Sequence, residues 1–179
     1  MIRRFFLFAV VAMAVLAAPA CAGLKVGAVA PTFQLQASLG GKVFDFDLAE
    51  ALKKGPVVLY FYPAAFTTGC TIEAHDFADA IGRYRSLGAT VIGVSHDTIA
   101  TLNKFSVSEC RSKFAVAADP QLRVAREYSA VLKLAPAYAN RTSYVIARNG
   151  KIVYEYTSLN PDRHVANTLA ALRELRGKK

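Results

Sequence analysis

The chain has 179 residues, 22 of them Lys or Arg and 13 Asp or Glu, for a formal net charge of +9 at pH 7. That length suits one ordinary domain and not two, and its three cysteines are too few for a disulfide scaffold. The positive charge is scattered apart from a small cluster at Arg173, Arg176, Lys178 and Lys179, and no basic stripe carries interleaved aromatics, so nucleic-acid binding has no support.

Met1–Ala22 reads as a secretory leader. Arg3 and Arg4 form a basic start, Phe5–Ala18 is a 14-residue apolar run, and Ala20-Cys21-Ala22 is a small-x-small cleavage site. The run is shorter than the roughly 20 residues of a membrane span. Cys21 lacks the preceding leucine of a lipoprotein signal, so cleavage near Gly23 is expected, with an uncleaved anchor as the alternative. The mature domain, 23–179, then keeps 20 basic against 13 acidic residues and two cysteines, an export-compatible redox pair. A periplasmic or otherwise exported protein without stable membrane association is the expectation.

Thr32–Gln36 and Lys42–Phe46 read as short strands around the turn Leu39-Gly40-Gly41, and Asp47 is placed to cap a short helix ending at Gly55. Val57–Tyr62 is a continuous apolar run that predicts a buried strand, stopped by Pro63. Thr67, Thr68 and Gly69 open a helix in which Phe77, Ile81, Tyr84 and Leu87 share one apolar face. Ala89–Ser95 predicts a second buried strand, Thr98 to about Ser108 a helix with Leu102 and Phe105 inward, and Phe114–Ala118 a third strand. Asp119-Pro120 is expected to cap a helix through Tyr128, and Ser129–Asn140 to be loop. Thr142–Ile146 and Ile152–Tyr156 flank an Asn149-Gly150 hairpin turn, and Pro161-Asp162 leads into a last helix with a Val165, Leu169, Leu172, Leu175 stripe. Alternating strands and helices that end in a hairpin imply an α/β fold, a mixed central sheet flanked by helices with an N-terminal hairpin.

Cys70 falls in the first turn of its helix, where unpaired N–H groups and the helix dipole favour a negative charge. Such a setting lowers a thiol from about 8.5 into the range of roughly 3.5–7.5. At pH 7 a drop to about 6 raises the thiolate fraction roughly 30-fold. The accompanying loss of nucleophilicity takes back roughly tenfold. A fast thiol therefore needs help at the breaking bond, from donors aimed at developing charge.

The residues Pro63-Ala64-Ala65-Phe66-Thr67-Thr68-Gly69-Cys70 resemble the peroxiredoxin signature Pro-x-x-x-Thr-x-x-Cys. Arg141-Thr142-Ser143-Tyr144-Val145-Ile146 is similar to that family's second signature, and Gly27-Ala28-Val29-Ala30-Pro31-Thr32-Phe33 to its usual opening. The peroxiredoxin Q (bacterioferritin comigratory protein) branch, including exported members, is the nearest in pattern. The resemblance implies a thioredoxin-like fold and a thiol peroxidase that uses no metal or organic cofactor. It further implies hydrogen peroxide or organic hydroperoxides as substrates and a thioredoxin-like reductant. Cys70 would attack the peroxide and become a sulfenic acid, with Thr67 and Arg141 bracketing the peroxide and Pro63 shielding the thiol. Glu73 is a candidate to orient Arg141, or else simply answers the helix dipole. Many members of the branch carry the resolving cysteine five residues on, where this chain has His75; Cys110 is the remaining candidate, on a helix some members use for it. An external resolving thiol is the alternative, and a peroxide sensor or holdase is the non-enzymatic one. The absence of Cys-x-x-Cys argues against a disulfide oxidoreductase. His75, His96 and His164 share no metal-ligand spacing with either cysteine. Neighbours on a strand end, Ser95-His96-Asp97 cannot form a hydrolase relay. A monomer is expected, with a dimer as the alternative.

Overall fold

The computed structural model describes residues 23–177, so the leader and its cleavage site lie outside the described residues. Its centre is β3 (Val57–Phe61), every residue of which is buried. Successive side chains leave a strand on opposite faces, and here both faces are covered. Val57, Leu59 and Phe61 enter one core with α1 (Leu48–Lys54) and α4 (Arg123–Glu127). Val58, Tyr60 and the following Tyr62 enter a second core with α2 (Thr68–Ser86), α3 (Ile99–Ser108) and α5 (His164–Gly177). Burial on both faces is why this strand reads as an unbroken apolar run instead of an alternating one.

Parallel to β3 lies β4 (Thr90–Ser95), and parallel to β4 lies β5 (Ala115–Ala118), the crossovers being α2 and α3. Antiparallel strands complete each side: β1 (Gln34–Leu39) with β2 (Lys42–Asp47), and β6 (Thr142–Ile146) with β7 (Ile152–Thr157). The seven-stranded order is β2-β1-β5-β4-β3-β6-β7. This is the expected mixed sheet with an N-terminal hairpin. In the second core the rings of Tyr62, Tyr60 and Phe77 stack in series, with centroids 5.4 and 4.3 Å apart. Gly93 pairs with Tyr60 across the β3–β4 ladder, and a Cβ there would come within 2.7 Å of the Tyr60 ring.

The local signals mostly act as expected. Asp47 accepts from Ala49 N and Glu50 N at 2.7 and 3.2 Å, and Thr98 accepts from Thr101 N at 3.3 Å. Two boundaries move. The first strand runs Gln34–Leu39, three residues further at its end than expected, because the Gly40-Gly41 turn carries both positive-φ positions and the strand pairs right up to it. The helix expected from Asp119 begins only at Arg123, because Leu122 takes the left-handed conformation at φ 53°. Asp119 still caps it from a distance, accepting from Arg123 N and Ala125 N at 2.9 Å each.

Candidate active site

At the carboxyl end of β3 the chain must turn from a buried strand into α2, and several side chains hold that bend. His96 Nδ1 donates to Pro63 O at 2.8 Å, since a carbonyl oxygen only accepts. Asp97 Oδ2 accepts from Ala65 N at 2.7 Å and from Ser95 Oγ at 2.8 Å. The Ser95-His96-Asp97 triplet, inert as a hydrolase relay, is thus a brace from the end of β4 to the bend. Phe66 completes the turn at φ 63°, half exposed, with its ring edge-to-face on Phe105 at 5.2 Å. Pro63 is half-buried. Thr67 is exposed and occupies the N-cap position through its backbone, while its hydroxyl donates back to Ala64 O at 2.9 Å.

Cys70, third residue of α2, is 2 % exposed. Arg141, 4 % exposed, arrives just before β6 and spreads its donors over three acceptors, two on α2 and one in the loop after β7. Nη2 donates to Cys70 Sγ at 3.5 Å, Nε to Leu159 O at 3.0 Å, and Nη1 to Glu73 Oε2. A Cβ at position 69 would lie 3.1 Å from Nη2, so Gly69 leaves the guanidinium room beside the thiol. β3 and β6 are neighbours in the sheet, and that pairing brings together two residues 71 apart in sequence.

Glu73 corrects one expectation. It lies one turn beyond the helix start, fully buried, and no acidic residue stands in the first turn of α2, so the dipole does not explain it. Burial pushes its carboxyl up to about 8 against the pull of Arg141. Its Oε1 has no hydrogen-bond partner and faces His164 Nδ1 at 3.7 Å. His164 is fully buried, with Nε2 2.9 Å from Ser158 O and Nδ1 2.8 Å from Ser143 Oγ. Burial, more than any other cause, pushes the imidazole down to about 4. Nothing in the sequence around His164 marks it, because its partners come from β6 and the loop before α5.

Cys110 follows α3, is fully buried, and is a free thiol like Cys70. Burial pushes its thiol well up. The two cysteines are members of the same core cluster, which also holds Tyr60 and Tyr62, whose hydroxyls are buried without partners. Both neighbours of Cys110 are tied to α2: Glu109 Oε2 to His75 Nε2 at 3.0 Å, and Arg111 Nη1 to Asp79 Oδ1 at 2.6 Å. His75 is half-buried at this contact. Arg111 and Ser112 take left-handed backbone conformations at φ 50° and 55°, which are costly for residues with a side chain. Among the described residues, no three of His, Cys, Asp and Glu stand close enough to hold a metal ion, and no helix is long and apolar enough to cross a membrane.

Comparison with known proteins agrees with this geometry. A model of the AhpC/TSA family matches residues 26–155. The chloroplastic peroxiredoxin Q proteins of Oryza sativa subsp. japonica and Triticum aestivum are each 33 % identical over 156 residues, covering 87 % of this chain and 70 % of the relative. The crystal structure of peroxidoxin BcpB from Mycobacterium tuberculosis superposes with a TM-score of 0.77 at 31 % identity, covering 86 % of this chain and 99 % of that one. The fold is thioredoxin-like, as in that structure.

Proposed function

The chain belongs to the AhpC/TSA family of peroxiredoxins, with peroxiredoxin Q proteins among its relatives, and is in kind a thiol peroxidase; from that premise we propose that Cys70 is the thiol that attacks the peroxide. The observation that carries this reading is the Arg141 guanidinium 3.5 Å from Cys70 Sγ. A permanent cation beside a buried sulfur stabilises the thiolate over the thiol. The same fork of donors is placed to meet charge as it grows on the breaking O–O bond. Thr67 sits at the exposed mouth of the bend, where its hydroxyl can turn from Ala64 O to an incoming peroxide. Pro63, braced by His96, keeps that mouth narrow. The reaction needs no metal or organic cofactor, and hydrogen peroxide and organic hydroperoxides are its proposed substrates.

The sulfenic acid on Cys70 is then resolved by Cys110, and a thioredoxin-like protein reduces the resulting disulfide. A disulfide needs Cα atoms within about 7 Å, and Cys110 is fully buried. The Ser108–Lys113 segment must therefore open, and the left-handed Arg111 and Ser112 support that as the place where it gives. The same burial favours a second reading, in which a thiol of another molecule resolves Cys70. The leader read at Met1–Ala22 makes an exported or periplasmic setting the proposed one.

Peroxide consumption with dithiothreitol as reductant, compared between the wild type and Cys70→Ser, tests the assignment. Complete loss in the variant is expected, and retained turnover overturns it. Parallel assays with hydrogen peroxide and an organic hydroperoxide give the preference. Intact mass after one equivalent of peroxide tests Cys110: the wild type should lose two hydrogens and Cys110→Ser should not.

A further inference from the structure

One cation serves two acids in this site. Arg141 donates to Cys70 Sγ and to Glu73 Oε2, and all three residues are at least 95 % buried. If both acids were ionised, the buried group would carry a net negative charge, which a low-dielectric interior strongly disfavours. One proton must therefore stay on either the sulfur or the carboxyl.

The surroundings of Glu73 decide which. Its Oε1 is buried and accepts no hydrogen bond, an arrangement that suits a carboxylic acid far better than a carboxylate. The group it faces, His164, must carry its hydrogen on Nε2 to donate to Ser158 O, which leaves Nδ1 to accept from Ser143 Oγ at 2.8 Å. His164 therefore offers Glu73 neither a hydrogen to accept nor a positive charge. Asp76, on the same helix, adds a further negative field against ionisation of Glu73. Tyr60 and Tyr84 also lie in that field as neutral phenols.

We infer that Glu73 is a protonated acid while Cys70 is a thiolate, and that it ionises when Cys70 is oxidised. This inference rests on the reading of Cys70 as the peroxide-attacking thiol. In the step, the thiolate attacks the terminal oxygen of ROOH, the S–O bond forms and the O–O bond breaks. Sulfur is oxidised by two electrons, and the products are Cys70–SOH and RO⁻. The sulfenic acid is neutral, so Arg141 loses its one anionic partner and Glu73 ionises in its place. The proton it releases balances the one that RO⁻ takes up to become ROH. Glu73 is thus a positioning and charge-balancing residue, not one that touches the peroxide. It leaves the cation's charge to the thiolate before the reaction and balances that charge afterwards.

Infrared difference spectroscopy at pH 7 reads this directly, using the full chain as Cys110→Ser so that oxidation stops at the sulfenic acid. Reduced minus peroxide-treated protein should show a protonated-carboxyl C=O band lost on oxidation, and the band should be missing from the Glu73→Gln variant. A second comparison does not depend on that variant folding: Cys70→Ser removes the competing anion, so the band should be present in the reduced parent and absent from Cys70→Ser. A reduced-state spectrum without the band, or a band that survives both oxidation and Cys70→Ser, overturns the inference. If instead Cys70 consumes no peroxide, the functional reading fails, while the comparison with Cys70→Ser still reports the protonation of Glu73.

Discussion

His75 Nε2 lies 3.0 Å from Glu109 Oε2, which ties the middle of the cysteine helix to the residue immediately before Cys110. With Asp79 and Arg111 at 2.6 Å on the other side, the buried thiol is held between two clasps to α2. Both are partly solvent-exposed, so each contributes only about 0.2–1 kcal/mol. Removing both with His75→Ala and Asp79→Ala lowers the cost of opening the Cys110 segment by roughly 1 kcal/mol, or about fivefold in the open population. Quenched-flow intact mass should show a correspondingly faster disulfide after sulfenic acid formation, with the oxidation step itself unchanged. An unchanged rate of disulfide formation removes the clasps from the resolving step.

Arg141→Lys keeps the charge but not the fork. One guanidinium reaches Cys70, Glu73 and Leu159 O at once, and a single ammonium cannot satisfy that planar set. The second-order rate of peroxide reduction should fall roughly 10²–10³-fold, the scale of losing a donor aimed at transition-state charge. A variant within about threefold of the wild type leaves Arg141 with only a structural part.

Stability against pH should carry opposite signatures from the two buried titrating groups. His164 is held at about 4, below its ordinary 6.5, so the unfolded chain binds the extra proton between those values and stability is lost as pH falls from 6.5 to 4. Glu73 is held at about 8, above its ordinary 4.5, so its contribution is complete below 4.5 and is lost as pH rises from 4.5 to 8. Between 4.5 and 6.5 the two slopes oppose each other, and above 6.5 only the Glu73 loss remains, about 2 kcal/mol by pH 8 at about 1.4 kcal/mol per pH unit. Urea unfolding of the reduced protein should therefore show a plateau near pH 4.5–6.5 and a decline above it. His164→Asn should convert the plateau into a decline, and Glu73→Gln should remove the decline above 6.5.

Gly93→Ala tests the ring stack behind the thiol. The added methyl would meet the Tyr60 ring at 2.7 Å, and that ring is pinned between Tyr62 and Phe77. Overpacking of this kind costs about 1–3 kcal/mol. The urea midpoint should fall by that amount with the slope unchanged, and an unaltered midpoint shows the stack to be more yielding than its geometry indicates.

The elements were legible wherever a local rule sufficed. The apolar run Val57–Phe61, the caps at Asp47 and Thr98, the Asn149-Gly150 turn and the α2 stripe each depend on neighbours within a turn or two. The positions of Pro63, Thr67, Cys70 and Arg141 could be read as a pattern, but their mutual geometry could not. By itself the sequence determined that a cysteine would open a helix at the end of a buried strand. Only the tertiary structure decided that Arg141 reaches that sulfur, that Glu73 shares the same guanidinium in complete burial, and that His164 stands behind it uncharged. It also turned Ser95-His96-Asp97 from an idle triplet into the brace of the bend. The physical reason is that burial and charge sharing belong to no single segment. They arise where β6 pairs with β3 and where His164, at the start of α5, packs against α2, and residue spacing along one chain does not encode the dielectric that those contacts create.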